Sequence, residues 1–151
     1  MPGGRIGSTL YDRAVLLDTG ALVALTDRSD GSADELLKCA HQIARESLPL
    51  FVALPTIIEA HRLVMFRCGR VRARAMVEAL YDGSVNLIPV VVDDEVEARQ
   101  NLDRYHWLDL SMADALNMAA AVRVGVRTIF SFDADYLHAG FIRVPPFYPW
   151  W

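Results

Sequence analysis

The segment from Ser111 to Tyr136, Ser-Met-Ala-Asp-Ala-Leu-Asn-Met-Ala-Ala-Ala-Val-Arg-Val-Gly-Val-Arg-Thr-Ile-Phe-Ser-Phe-Asp-Ala-Asp-Tyr, constrains the fold more than any other stretch of the chain. It holds an amphipathic helix, a Gly stop at Gly125 and a short apolar run, Thr128 to Phe132, that meets an acid at Asp133. A run so short and so apolar reads as a strand buried on both faces, which is the habit of parallel sheets. Its carboxyl end is then the edge where open α/β sheets bind ligands. Ser111 is a good helix cap, and Asp114 three positions later can complete a capping box, so a second carboxylate starts at that edge.

The rest of the chain repeats the pattern. Residues 1–12 hold three Gly and one Pro without periodicity and read as a loose leader. Val15 to Leu17 is an apolar strand ending at Asp18, and Ala21 to Leu25 begins a helix. After the polar turn Thr26 to Gly31, Ser32 and Glu35 form a capping box for a helix to about Ser47, with Leu36, Leu37, Ala40 and Ile43 facing the core. Leu50 to Leu54 is the next strand, and Pro55 starts a helix that carries Glu59 among Ile57, Ile58, Leu63 and Val64. Gly69 separates it from the helical run Val71 to Leu80, and Asp82-Gly83 turns into the strand Val85 to Val92. Asp93, Asp94, Glu95 and Glu97 open a helix to about Tyr105, and a weak strand, Phe141 to Val144, closes the order. The alternation predicts a three-layer α/β/α fold with a central parallel sheet of about five strands. The expected organisation is a leader over 1–12, one domain over 13–145 and an aromatic tail over 146–151, Pro-Phe-Tyr-Pro-Trp-Trp, which docks on the domain or serves as an interface.

Composition narrows the setting. At 53% hydrophobic the chain is rich in apolar residues, yet no run reaches the length that spans a bilayer, and buried protein interfaces are the better use of the excess. Ala14 to Leu25 resembles the core of a signal peptide but is broken by Asp18, so the expectation is a cytoplasmic protein without a membrane partner. Cys39 and Cys68 have no paired spacing and read as reduced core thiols. His41, His61, His106 and His138 lack HExxH spacing, which disfavours zinc, and no GxGxxG follows the first strand. The net charge of -4 argues weakly against a purely electrostatic nucleic-acid binder.

In a parallel sheet Asp18, Glu59, Asp114 and Asp133 all fall at one edge. Two unit charges about 5 Å apart repel by roughly 3 kcal/mol at an effective dielectric near 20, so four ionised acids need compensation. Raised pKa values, Arg pairing or a divalent cation would each supply it, and an all-oxygen set suits Mg²⁺ or Mn²⁺. The metal reading gives all four one role, as ligands for phosphodiester hydrolysis. Taken singly, Asp114 as a cap and Asp133 as a turn residue are the plainer readings; Glu59, a charge in an apolar helical stretch, is the hardest to dismiss. Asp109 and Asp135 are auxiliary candidates or exposed loop acids. Thr19 and Ser131 adjoin the acids and either hold a metal-bound water or cap and terminate elements. Arg62, Arg67, Arg70, Arg72 and Arg74 form either a solvated face or a group that contacts RNA phosphates or an acidic protein partner. The acidic run Asp93 to Glu97 reads as a helix-dipole complement.

Four segments carry a family resemblance: Val-Leu-Leu-Asp-Thr-Gly-Ala-Leu-Val-Ala-Leu, Leu-Pro-Thr-Ile-Ile-Glu-Ala, Leu-Ser-Met-Ala-Asp-Ala-Leu-Asn-Met-Ala-Ala and Ser-Phe-Asp-Ala-Asp-Tyr. In order and spacing they resemble the signature blocks of PIN-domain ribonucleases, in particular the VapC toxins of bacterial toxin–antitoxin pairs, over about residues 14 to 144. The resemblance implies that the family's metal-binding and catalytic acids fall on Asp18, Glu59, Asp114 and Asp133. It also implies a Mg²⁺-dependent endoribonuclease acting on structured RNA, a homodimer, and a small antitoxin that inserts a segment near the site. Two alternatives stand beside it: a PIN-fold nuclease of RNA processing that is not a toxin, and a catalytically silent protein-binding module. An aspartate phospho-acceptor is disfavoured, because residue 20 is Gly rather than a second acid and Lys38 is the only lysine.

Overall fold

The structure, a computed structural model, describes residues 14–29, 31 and 33–144. The leader over 1–12, Ser32 and the aromatic tail lie outside the described residues.

Five short strands form one sheet: β1 (Val15–Leu17), β2 (Leu50–Ala53), β3 (Asn86–Ile88), β4 (Thr128–Phe130) and β5 (Ile142–Val144). Their order is β3-β2-β1-β4-β5, and every pairing is parallel. The sheet turns in both directions from β1, so the strand that ends at Asp18 sits where the order reverses. Helices supply the crossovers: α1 (Thr19–Thr26), α2 (Ala33–Arg45), α3 (Leu54–Cys68), α4 (Arg70–Leu80), α5 (Val92–Arg104), α6 (Met112–Val124) and the single turn α7 (Asp135–His138).

Alternation along β1 divides the interior into two cores. Val15 and Leu17 pack with Leu22, Leu36, Val64 and Leu80 on the face covered by α1 to α4, and Leu16 packs with Met118, Ile129, Tyr136 and Phe141 on the face covered by α6 and α7. The three-layer α/β/α fold with a parallel sheet of five strands is the one the apolar runs predict. Cys39 and Cys68 are free and half-buried, both packed against the first core.

The run Val85 to Val92 divides differently from the sequence expectation. β3 covers only Asn86–Ile88; Pro89 has no N–H for a ladder, and α5 already begins at Val92. The acidic run that opens α5 is also more than a dipole complement. Asp94 is buried, its carboxylate accepts the Val91 N–H at 3.0 Å, and Arg123 of α6 grips it with Nε at 2.9 Å and Nη2 at 3.0 Å. Arg123 Nη2 also donates to the Pro89 carbonyl at 2.7 Å, so one guanidinium ties the end of β3, the start of α5 and α6 together. Burial works to raise the Asp94 carboxyl, but the hydrogen bonds from Arg123 and Val91 outweigh it and hold the group below the usual carboxylate range.

Asp94 is buried while Arg123 stays about one-third exposed, so removing the cation leaves a buried carboxylate that water reaches only from the Arg123 side. Arg123→Ala is therefore expected to lower the unfolding free energy by about 1–2 kcal/mol at neutral pH, less than for a fully buried pair because solvent screens the guanidinium. Because the Asp94 pKa is depressed on folding, the difference from wild type shrinks as pH falls through the folded-state value. Urea denaturation of the two proteins at pH 7 and at pH 3 checks this, and equal midpoints at pH 7 would contradict it.

Candidate active site

β1 and β4 run side by side with Leu17 opposite Phe130, so the residues just past their ends, Asp18 and Ser131, are neighbours. The Asp18 N–H continues the ladder to the Phe130 carbonyl at 3.1 Å, and the Ser131 hydroxyl donates to Asp18 Oδ2 at 2.6 Å. The same hydroxyl accepts the Asp133 N–H at 3.0 Å, and Asp133 Oδ1 accepts the Asp135 N–H at 2.9 Å, which bends the chain into α7. The bend drives Tyr136 back under the sheet edge, fully buried, with its ring edge-to-face against Phe141 at 5.9 Å and 83°.

The Tyr136 hydroxyl lies 3.1 Å from Asp18 Oδ1 and 3.2 Å from Asp114 Oδ1. Asp114 arrives from the other side, at the start of α6, in the capping box its spacing predicts: Oδ2 accepts the Ser111 N–H at 3.0 Å, and the Ser111 hydroxyl accepts the Asp114 N–H at 3.1 Å. All four oxygens of the two carboxylates thus face a protein donor. One phenolic proton cannot satisfy two acceptors at once, so the pair is short of one positive partner whenever both acids are ionised. Burial, with a smaller push from the charge of Asp114, moves the Asp18 carboxyl up to about 6, against the pull of its bonds from Ser131, Thr19 and Tyr136. Burial and the two carboxylates raise Tyr136 well above its ordinary value, so it stays a donor across the physiological range.

Glu59 and Asp133 stand one residue outward. Glu59, half-buried on α3, accepts the Thr19 hydroxyl at 2.9 Å, and Thr19 directly follows Asp18. Asp133 is joined to Asp18 through Ser131. Thr19 and Ser131 therefore link acids to one another, and neither caps a helix with its side chain. Among the described residues no three His, Cys, Asp or Glu side chains are placed to hold a metal ion. Two acids converge and two are held within one hydroxyl of them. The carboxylates of Asp18 and Asp114 and the hydroxyls of Ser131 and Tyr136 between them are hard oxygens, and Asp18 lacks a compensating charge, which is the ligand chemistry that suits Mg²⁺ or Mn²⁺.

Of the auxiliary candidates, Asp135 is half-buried and has its carboxyl raised by burial and by the charges of Asp133 and Asp109, and Asp109 is exposed. Arg62, Arg67, Arg70, Arg72 and Arg74 are exposed on α3 and α4, the first two on the helix that carries Glu59. Arg74 meets Glu78 at 3.8 Å on the solvent face, where such a pair contributes little.

Sequence reasoning missed the supports beneath the acids. Asn117 and Thr56, both fully buried, exchange hydrogen bonds at 2.7 and 3.0 Å and join α6, three residues after Asp114, to α3, three residues before Glu59. Asn117 also hydrogen-bonds the Tyr136 hydroxyl. Arg143, buried in β5, donates to the Phe132 carbonyl at 2.6 Å and sets a guanidinium near the charge of Asp133. Asn117 inside an alanine-rich helix and Arg143 inside an apolar strand were the available signals, since a polar residue on a buried face needs a partner.

A parallel sheet with reversal at β1, and acids at the carboxyl ends of β1 and β4 and the starts of α3 and α6, defines a PIN domain. Residues 15–142 match the PIN domain family, and the chain belongs to it. Among characterised relatives, the 23S rRNA-specific endonuclease VapC20 of Mycobacterium tuberculosis is 31% identical over 88 residues, 58% of this chain and 67% of that protein. The crystal structure of that VapC20, a sarcin-ricin loop cleaving toxin, superposes with a TM-score of 0.77 at 25% identity, covering 88% of this chain and all of the other. VapBC2 from Rickettsia felis bound to a promoter DNA fragment gives a TM-score of 0.66 at 12% identity over 86% of this chain and 96% of its own, a likeness of fold alone.

The raised Asp18 carboxyl has a measurable consequence. A group whose folded pKa lies above its unfolded value costs stability as pH rises through the window between them, here from near 4 to near 6. In metal-free protein Asp18→Asn should therefore raise the unfolding free energy at pH 7 by on the order of 2–3 kcal/mol, with the gain vanishing toward pH 4. Denaturation in EDTA at both pH values measures it; a loss of stability at pH 7 would contradict the placement of Asp18.

Proposed function

We propose that this chain is a metal-dependent endoribonuclease, the toxin of a VapBC-type pair, cutting structured RNA in the cytoplasm. The observation that carries this reading is the Asp18–Tyr136–Asp114 contact, two carboxylates held together short of positive charge at the sheet edge of a PIN domain. Asp18, Glu59, Asp114 and Asp133 would hold Mg²⁺, or Mn²⁺ in its place. The bound cation would supply Lewis acidity to the scissile phosphate and lower the pKa of water at the site.

The chain's own residues would do the positioning. Ser131 fixes one oxygen of Asp18 and the backbone of Asp133, Tyr136 holds Asp18 and Asp114 toward each other, and Thr19 aims Glu59 toward the same edge. Substitution of such hydrogen-bonded supports commonly weakens metal affinity or activity 10–100-fold. Exposed Arg62 and Arg67 on the Glu59 helix, with Arg70, Arg72 and Arg74 on α4, would take RNA phosphates or acidic groups of an antitoxin. Exposed Ile58, Phe66 and Val71 on α3 and α4 are apolar surface of the kind that a homodimer or antitoxin covers. The relative VapC20 supports the substrate class and the toxin reading: it is named as a 23S rRNA-specific endonuclease and a sarcin-ricin loop cleaving toxin.

Purified, partner-free protein is expected to cut total RNA and a sarcin–ricin stem–loop into discrete fragments with Mg²⁺ or Mn²⁺ and not with EDTA. Asp18→Asn and Asp114→Asn should each lower cleavage by at least about a hundredfold while keeping the wild-type circular dichroism spectrum. Retained cleavage in both variants would overturn the reading, and metal-loaded, folded protein that cuts no RNA would favour the protein-binding alternative.

A further inference from the structure

Between α5 and α6 the chain passes through Tyr105, His106 and Trp107 before it reaches Ser111 and Asp114. Trp107 is 63% exposed, although its indole is the largest apolar group in the segment. Its ring is nevertheless fixed. Tyr105 meets it at 5.8 Å and 75°, and His106 at 5.3 Å and 86°. The Leu108 N–H bonds the Tyr105 carbonyl at 2.9 Å, His106 Nδ1 lies 3.2 Å from the Asp103 carbonyl, and the Arg104 guanidinium sits 6.0 Å over the Tyr105 ring. The loop is also tied to the acid edge, since the Asp109 N–H hydrogen-bonds the Asp135 carboxylate.

We infer that Trp107 is a stacking platform for an unpaired base of the RNA bound at the acid edge, an inference that rests on the nuclease reading above. Both neighbouring rings pack near-perpendicular to the indole, so neither is a parallel stacking partner. Three residues lie between Trp107 and Ser111, at most about 14 Å of extended chain from Cα to Cα, which puts the indole on the loop that leads into the acid edge. Asp103 and Asp109 flank the loop and repel a phosphate backbone, so the platform suits a neutral base turned out of its strand. Sequence-specific RNA recognition uses such splayed loop bases stacked on aromatic rings, whereas a base inside a duplex offers no free face.

The test uses the Asp18→Asn protein, which is expected to bind without cutting, and fluorescein-labelled RNA read by anisotropy: a sarcin–ricin stem–loop and a fully paired duplex of equal length. Trp107→Ala should weaken stem–loop binding by about five- to a hundredfold and leave duplex binding within twofold, while Trp107→Phe keeps most of the stem–loop affinity. In the active protein Trp107→Ala should raise KM more than it lowers kcat. Equal stem–loop affinity with and without the indole would overturn the inference and leave the nuclease reading intact. Equal weakening on both RNAs would overturn it too, and so would a change in oligomeric mass with unchanged RNA affinity, which would assign Trp107 to a protein interface. No binding of either RNA with Trp107 intact would instead defeat the nuclease reading and this inference with it.

Discussion

The structure depends on one short contact, in which a buried phenol lies between two carboxylates that come from opposite sides of the sheet edge. Asp18 ends the central strand, Asp114 starts α6, and the Tyr136 hydroxyl within 3.2 Å of both keeps them facing each other. Burial, with a smaller push from Asp114, raises the Asp18 carboxyl to about 6, so keeping both acids ionised without a compensating charge costs stability. A protein selected only for stability would replace one of these acids with an apolar group. That unmet charge is the physical basis of the proposal that a cation binds here.

Topology delivers the acids. Because the sheet order reverses at β1, crossovers leave it on both sides, and the carboxyl end of β1 is where such sheets bind ligands. The α1–α4 layer brings Glu59, and the α6–α7 side brings Asp114, Asp133 and Tyr136. The Thr56–Asn117 pair stitches the two sides together below the acids, and Arg123 locks α6 to α5 so that Asp114 starts from a fixed helix. Trp107 occupies the loop between those two locked helices, which would give the proposed platform a rigid base.

Most of this architecture was legible in the sequence because buried parallel strands read as uninterrupted apolar runs, and Val15 to Leu17 and Leu50 to Ala53 could hardly be anything else. Val85 to Val92 misled because apolar residues continue past Pro89 into the helix, and periodicity cannot separate a strand from a helix start over so few residues. Asp18 and Asp114 were legible as acids at element ends, and the box at Ser111 fixed the Asp114 backbone. What stayed hidden was long-range pairing. Nothing local in Asp94 announces Arg123 twenty-nine positions on, and nothing in Tyr136 announces a carboxylate 118 residues away. A polar side chain in an apolar segment shows that a partner is needed, and only the fold says which.

The most direct measurement is the rise in melting temperature on adding Mn²⁺ to wild type and to Asp18→Asn, Glu59→Gln, Asp114→Asn and Asp133→Asn. A cation held by the native state alone stabilises it according to its concentration over Kd. If the four acids act as one site, wild type gains several degrees at millimolar Mn²⁺ and each variant gains clearly less, with Asp18→Asn starting from a higher melting temperature in EDTA and gaining least. The same Mn²⁺-induced rise in all five proteins would contradict the account, because the acids at the sheet edge would then not be what binds the ion.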